Sequence, residues 1–230
     1  MHKDSFRPKR SVLGKILKIG IPVAFQDGFI QISFIVITVI ANRRGINDAA
    51  AVGIVEKVIG VLFLVPSSML STVSALSAQN IGAKKYDRAA LTLRYAVFIA
   101  AGFGIVAVIA IQFQAEAVVG MFTKEGNAEV ILLGSQYLRG YIWDCIFAGI
   151  HFCFSGYFCA WGKSGISFLH NVLSIVFARI PGAYFASKLF PDTLFPMGLA
   201  VAAGSLLSVV VCIIAYLYLM KKESSVVVHS

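Results

Sequence analysis

Three acidic residues, Asp27, Glu56 and Asp144, fall inside long apolar stretches of the sequence. A charged side chain at mid-bilayer costs about 2.5–3.5 kcal/mol on insertion scales, so acids in spanning segments point to function. Asp144 has the most developed surroundings. His151 and Ser155 follow it at offsets that return to nearly the same face of a helix, and Tyr137 and Tyr141 precede it toward that side. The stripe offers a carboxylate, an imidazole and hydroxyls. A carboxylate in a low-dielectric cavity favours uptake of a proton or a cation, so Asp144 is a candidate to bind and release H⁺ or Na⁺. The alternative is a helix–helix hydrogen bond, or a pair with Arg139, that only fixes packing.

Asp27 lies five residues after Pro22, and Gln31 and Thr38 follow it on one helical face. Gln26 and Ser33 form a neighbouring row. Pro22 removes a backbone donor and frees a carbonyl for an ion or a side chain. A packing role for Asp27 would be an ion pair with Lys57 or Arg179. Glu56 and Lys57 are adjacent and face different ways, and Lys57 is placed to snorkel; the expectation for both is structural. Arg179, two residues before Pro181, is expected to be an anchor or an ion-pair partner. Asn171 and Ser174 are expected on a cavity wall, with Gln26, Gln31, Tyr141 and His151. The serines and threonine between Ser67 and Ser77 suit close helix packing and carry no assigned chemistry.

Other chemistries lack their residues. There is no GxSxG or HExxH motif and no acid–histidine set at metal-ligand spacing. The four cysteines, Cys145, Cys153, Cys159 and Cys212, all sit in apolar stretches and form no CxxC pair. No cofactor or resident metal is expected. No Walker motif encodes an ATP-driven motor.

The elements that position these residues are long apolar helices. Apolar residues make up 58% of the 230-residue chain and charged residues only 13%, with a mean hydropathy of +0.83. Soluble domains carry roughly 25% charged residues. A bilayer core needs about 20 apolar residues per helix, and helices satisfy their own backbone there. Six spans are expected: 16–41, 49–77 with a kink at Pro66, 89–115, 130–160, 167–189 interrupted by Pro181, and 194–220. The first span is too long for a signal-peptide core.

The net charge of +9 does not imply nucleic acid, because the basic residues gather at span ends. One side holds Lys3, Arg7, Lys9, Arg10, Lys15, Lys18, Lys84, Lys85, Arg88, Arg94, Lys163, Lys221 and Lys222. The other holds only Arg43, Arg44, Lys124 and Lys188. The bias places both termini in the cytoplasm, with Arg43 and Arg44 running against it.

Four stretches resemble the C-terminal lobe of the MATE (multidrug and toxic compound extrusion) transporters, on the branch of the DNA-damage-inducible F proteins. The run from Leu17 to Gln26, containing Pro22, resembles the opening of that family's seventh helix. Ala78-Gln79-Asn80-Ile81-Gly82-Ala83-Lys84-Lys85-Tyr86-Asp87-Arg88-Ala89 resembles the loop after the eighth. Tyr137-Leu138-Arg139 with Asp144, Gly156-Tyr157-Phe158 and Gly162-Lys163-Ser164 resembles the tenth and its exit loop. Arg179-Ile180-Pro181 resembles the eleventh.

The resemblance implies an all-α integral membrane fold, a six-helix bundle forming one lobe of a twelve-helix transporter. It implies export of small organic compounds, often cationic, in exchange for Na⁺ or H⁺ by alternating access, usually across a bacterial inner membrane. Asp144 and Asp27 become the ion-coupling candidates. The glutamate of the family's Na⁺-coupled branch falls near Ile30 or Gln31, where no acid stands. Residues 1–15 resemble the cytoplasmic linker between lobes, 16–220 the lobe itself, and 221–230 a cytoplasmic tail. The expected partners are the lipid bilayer and either the N-terminal lobe or a second copy of the chain. Two other readings stay open: a six-helix solute-binding subunit serving a separate motor, and a truncated lobe that does not transport.

Overall fold

The computed structural model describes residues 10–123 and 127–227, and all of their regular structure is helical. In chain order the helices are α1 (Arg10–Asn42), α2 (Ile46–Leu62), α3 (Leu64–Gly82), α4 (Tyr86–Gly120), α5 (Ala128–Tyr141) and α6 (Asp144–Ala160). There follow α7 (Ser164–Ser174), a π-helical turn (Ile175–Arg179), α8 (Ile180–Leu189) and α9 (Phe195–Val227). Five stretches are long and apolar enough to cross a membrane: Ile16–Asn42, Ile46–Gly82, Tyr86–Gly120, Ser164–Leu189 and Phe195–Leu219. The sixth is the pair α5 and α6, bent by 41° at their junction.

The breaks have local causes. Pro66 cannot donate to the carbonyl of Leu62, and its ring crowds that turn; the helix interrupts at Phe63, between α2 and α3. Before Pro181 the ladder widens into the π turn, where the Ile180 amide reaches back to the Ile175 carbonyl. At Pro22 the helix continues, and the Ser164 hydroxyl from α7 donates to the Lys18 carbonyl at 3.2 Å. The carbonyl freed by Pro22 is taken by a side chain of another helix. No proline or glycine lies between Tyr141 and Asp144; Cys145 and Ile146 donate instead to the carbonyls three residues before them. The fourth expected span is thus two half-helices, and Asp144 begins the second.

Helix α1 starts at Arg10, inside the stretch expected to be a linker; residues 1–9 lie outside the described residues. Likewise α9 runs to Val227, through most of the expected tail.

The connecting segments gather at two ends. At one end, Asn47 Nδ2 donates to Glu129 Oε2 at 2.6 Å. There Arg44 also donates to the carbonyls of Phe190 at 3.0 Å and Pro191 at 2.6 Å, and to Asp48 Oδ1 at 2.9 Å. The arginine that defied the charge bias is thus a clamp that closes the end of α8 and its loop. At the other end, Tyr86 stacks on Trp161 with ring centroids 5.7 Å apart.

Each end has its own apolar core. The first joins Ile37, Val55, Ile111, Leu138, Ile142 and Met197. The second joins Val73, Leu93, Phe154, Phe158 and Cys212. Glycines bring helix backbones together between them: Gly140 of α5 and Gly198 of α9 each abut the other helix's backbone so closely that a methyl group would strike a carbonyl. All four cysteines are buried and unbridged.

Candidate functional site

A cavity of about 700 Å³ opens among α1, α2, α6, α7, the π turn and α9. Asp27, Gln31 and Phe34 come from α1, spaced so that one helical face is turned inward. Glu56 and Lys57 come from α2, and Asp144, His151 and Phe152 from α6. Asn171, Arg179 and Ser205 complete the wall from α7, the π turn and α9.

Asp144 is only 1% exposed, yet its Oδ1 has no hydrogen-bond partner. The bend between α5 and α6 puts it in the first turn of a half-helix, where backbone N–H groups lack intrahelical partners and the dipole favours negative charge. Ser205 of α9 lies beside it. Arg139, the alternative partner read from the sequence, faces away and pairs with Glu116 at 3.2 Å.

Arg179 is 7% exposed and presents its guanidinium to the cavity. Its Nη2 donates to the Tyr141 hydroxyl at 2.7 Å. The guanidinium carbon lies 4.9 Å from the Phe34 ring centroid and 5.8 Å from that of Tyr141. Cation–π contacts of this kind contribute about 2 kcal/mol when desolvated. The π turn is what aims this side chain: it shifts the helical register just before Pro181, and Gly204 of α9 gives the Arg179 stem room. Glu56 Oε1 accepts from the Thr38 hydroxyl at 3.1 Å.

The cavity therefore brings together Asp27, Gln31, Asp144, His151 and Asn171 of the residues singled out in the sequence. Two others stand behind its wall. Gln26 is fully buried and accepts from the Ser167 hydroxyl at 2.7 Å; it docks α1 on α7 and does not line the cavity. Tyr141 is also fully buried and acts through Arg179. The sequence reading missed Glu56 as a wall residue, because its neighbour Lys57 made the pair look like an interface anchor. Thr38 carried the usable signal, since it shares a face with Asp27 and Gln31 and bonds Glu56 across helices. Arg179 was expected as an anchor or an ion-pair partner; the aromatic pair around it comes from two other elements.

Among the described residues no group of three or more His, Cys, Asp or Glu side chains could hold a metal ion. The charges on the wall are three acids and two bases, held apart rather than collapsed into pairs.

The MatE family profile matches residues 22–185. A probable multidrug resistance protein of Bacillus subtilis (strain 168), YoeA, is 25% identical over 140 residues, which is 61% of this chain and 30% of that protein. A MATE protein solved in complex with MaL6 superimposes with a TM-score of 0.86 at 18% identity, over 98% of this chain and 50% of that one. A MOP superfamily transporter from Pyrococcus furiosus, described as having a binding pocket of reverse polarity, gives 0.85 at 18% identity, again over 98% and 50%. The chain spans about half the length of these solved transporters, so its fold is that of a single lobe, a multi-pass bundle of membrane-spanning helices. With the family profile running from Pro22 into α8, the chain belongs to the MatE family of membrane transporters.

Proposed function

We propose that this lobe works with a second lobe as a multidrug antiporter, exporting small organic compounds, often cations, in exchange for Na⁺ or H⁺. One observation carries the reading. Three membrane-embedded acids, Asp27, Glu56 and Asp144, from three separate helices line one cavity of about 700 Å³ that also carries Phe34, Phe63 and Phe152. Apolar and aromatic walls with a few polar groups bind drug-sized ligands without demanding one shape. An acid in such a wall attracts either an organic cation or a small inorganic one, and competition between the two for one carboxylate is the physical core of antiport.

The second lobe is the N-terminal half of a full-length transporter or another copy of this chain. Alternating access needs two bundles rocking about a midplane site, and a single lobe supplies one wall of it. The membrane is the cell's inner membrane, with the Lys84–Lys85–Arg88 and Lys163 loops, and both termini, in the cytoplasm.

The test is uptake of a fluorescent organic cation into inverted vesicles carrying this lobe and its partner, under an imposed Na⁺ or H⁺ gradient. Uptake into those vesicles that collapses when the gradient is dissipated is the expected result. Solute binding that is indifferent to both gradients would overturn the antiport reading.

A further inference from the structure

The buried face of α7 does more than pack. Ser164, Ser167, His170, Asn171 and Ser174 recur at helical spacing on that face and are all buried. Asn171 lines the cavity, whereas Ser164 sits at the helix end beside Lys163. Between them the polar groups are joined. His170, fully buried, has one ring nitrogen 2.9 Å from the Ser155 hydroxyl of α6 and the other 3.2 Å from the Ser208 hydroxyl of α9. One turn toward the loop, Ser167 donates to Gln26, and one turn further Ser164 reaches the Lys18 carbonyl. At the cavity end His151, 4% exposed, places its ring 5.5 Å from that of His170.

Packing alone does not explain two features of this seam. A helix-docking serine needs no imidazole bonded through both nitrogens. Nor does packing explain two unpartnered atoms that the seam encloses, His151 Nδ1 at the cavity and Gln26 Nε2 at Ser167. Orphaned buried polar atoms mark places where water enters or a proton resides.

We propose that the polar face of α7 is a proton route between the cavity and the Lys163 end of the lobe. The proposal rests on the antiport reading, with H⁺ as the coupling ion. A proton from water at the Ser164 end passes by way of the Ser167 hydroxyl, with Gln26 positioning water beside it, to the Ser208 hydroxyl bonded to His170 Nδ1. His170 accepts it on Nδ1 as imidazolium and releases the Nε2 proton to the Ser155 hydroxyl, whose own proton passes on toward His151 one turn away on α6. From His151 it reaches the Asp144 carboxylate, which becomes the neutral acid. One proton enters and one is delivered, and rotation of the serine hydroxyls resets the chain. The gaps of about one helical turn along α7, ~5 Å, are spans that single waters bridge, and the two turns of α6 from His151 to Asp144, ~10 Å, run along the cavity wall. The other titratable or charged groups at the cavity end are Asp27, Glu56, Lys57 and Arg179, with the Tyr141 hydroxyl of α5 bonded to Arg179; α9 presents Ser205 and Ser208 there.

The test has two arms. In vesicles containing the two-lobed transporter, His170→Asn keeps hydrogen bonding but cannot relay. It is expected to slow H⁺-driven export at least tenfold while substrate Kd stays within twofold. Export equal to wild type by His170→Asn overturns the route and leaves the antiport reading standing; absence of gradient-driven export by wild type defeats the antiport reading instead. The second arm needs no transport. With the native cysteines replaced, Ser167→Cys is expected to react with a small aqueous thiol reagent at least tenfold faster than a variant retaining only the core Cys145. Reaction as slow as Cys145 overturns the route.

Discussion

Asp144 and Arg179 line the same cavity and are both more than nine-tenths buried, yet no ion pair within 4 Å joins them. Arg179 spends its hydrogen bond on Tyr141, and Asp144 Oδ1 has no partner. Two opposite charges in a low-dielectric site attract strongly. Their separation is held by the fold: Phe34 and Tyr141 flank the guanidinium, and the α5–α6 bend fixes the carboxyl. The arrangement leaves Asp144 Oδ1 unpartnered at the cavity, which is what the proposed exchange of cations requires.

Tyr141 is the restraint most open to test. Tyr141→Phe removes one hydroxyl and leaves a buried guanidinium hydrogen without its acceptor. Losing a hydrogen bond to a charged group costs about 1.5–3 kcal/mol. Thermal unfolding in detergent is expected to move to lower temperature, and transport to fall, because Arg179 is freed to close on Asp144. An unchanged melting temperature and unchanged transport would show that the bond restrains nothing.

Arg179→Lys keeps the charge but not the planar fork or its stacking. The variant is expected to lose at least tenfold in transport while the lobe remains folded. Full activity in the lysine variant would show that only the charge matters.

The close crossing of α5 and α9 depends on hydrogen side chains. Gly198→Ala would drive a methyl group into the Tyr137 carbonyl region, and forced overpacking costs about 1–3 kcal/mol. Gly102→Ala, where nothing lies within 4 Å of the added carbon, is the matched control with no expected loss. Equal melting temperatures for the two variants would contradict the packing account.

Arg44 holds the loop after α8 through several backbone carbonyls, including those of Ser187 and Thr193. Arg44→Lys cannot reach them all from one ammonium. Limited proteolysis is expected to cut the variant between residues 190 and 194 at least several-fold faster than wild type. Equal cleavage rates would mean that the loop is held by Gln136, which accepts from the Thr193 hydroxyl at 2.9 Å.

Much of this was legible in the sequence. Apolar runs gave the spanning helices, and Asp144, Asp27, Gln31, His151 and Asn171 were singled out before their shared cavity was visible. Pro66 and Pro181 each announced an interruption, because a missing amide is a local fact. The α5–α6 bend was not legible, since no residue from Tyr141 to Asp144 removes a backbone donor. Gln26 was misplaced for a related reason. Its row on α1 borders the row of Asp27, and only the docking of α7 decides which row faces the cavity. Glu56 and Arg179 depend on Thr38, Phe34 and Tyr141, partners from other elements that no periodicity within one helix reveals.

The central claim is that the Asp144 carboxylate is the exchange point between coupling ion and substrate. Side-by-side gradient-driven export by wild type and Asp144→Asn in the assembled transporter tests it most directly, because the amide keeps the shape and loses the charge. Export reduced at least tenfold, with the variant still folded and inserted, is the expected result. Export by Asp144→Asn at the wild-type rate would contradict the account.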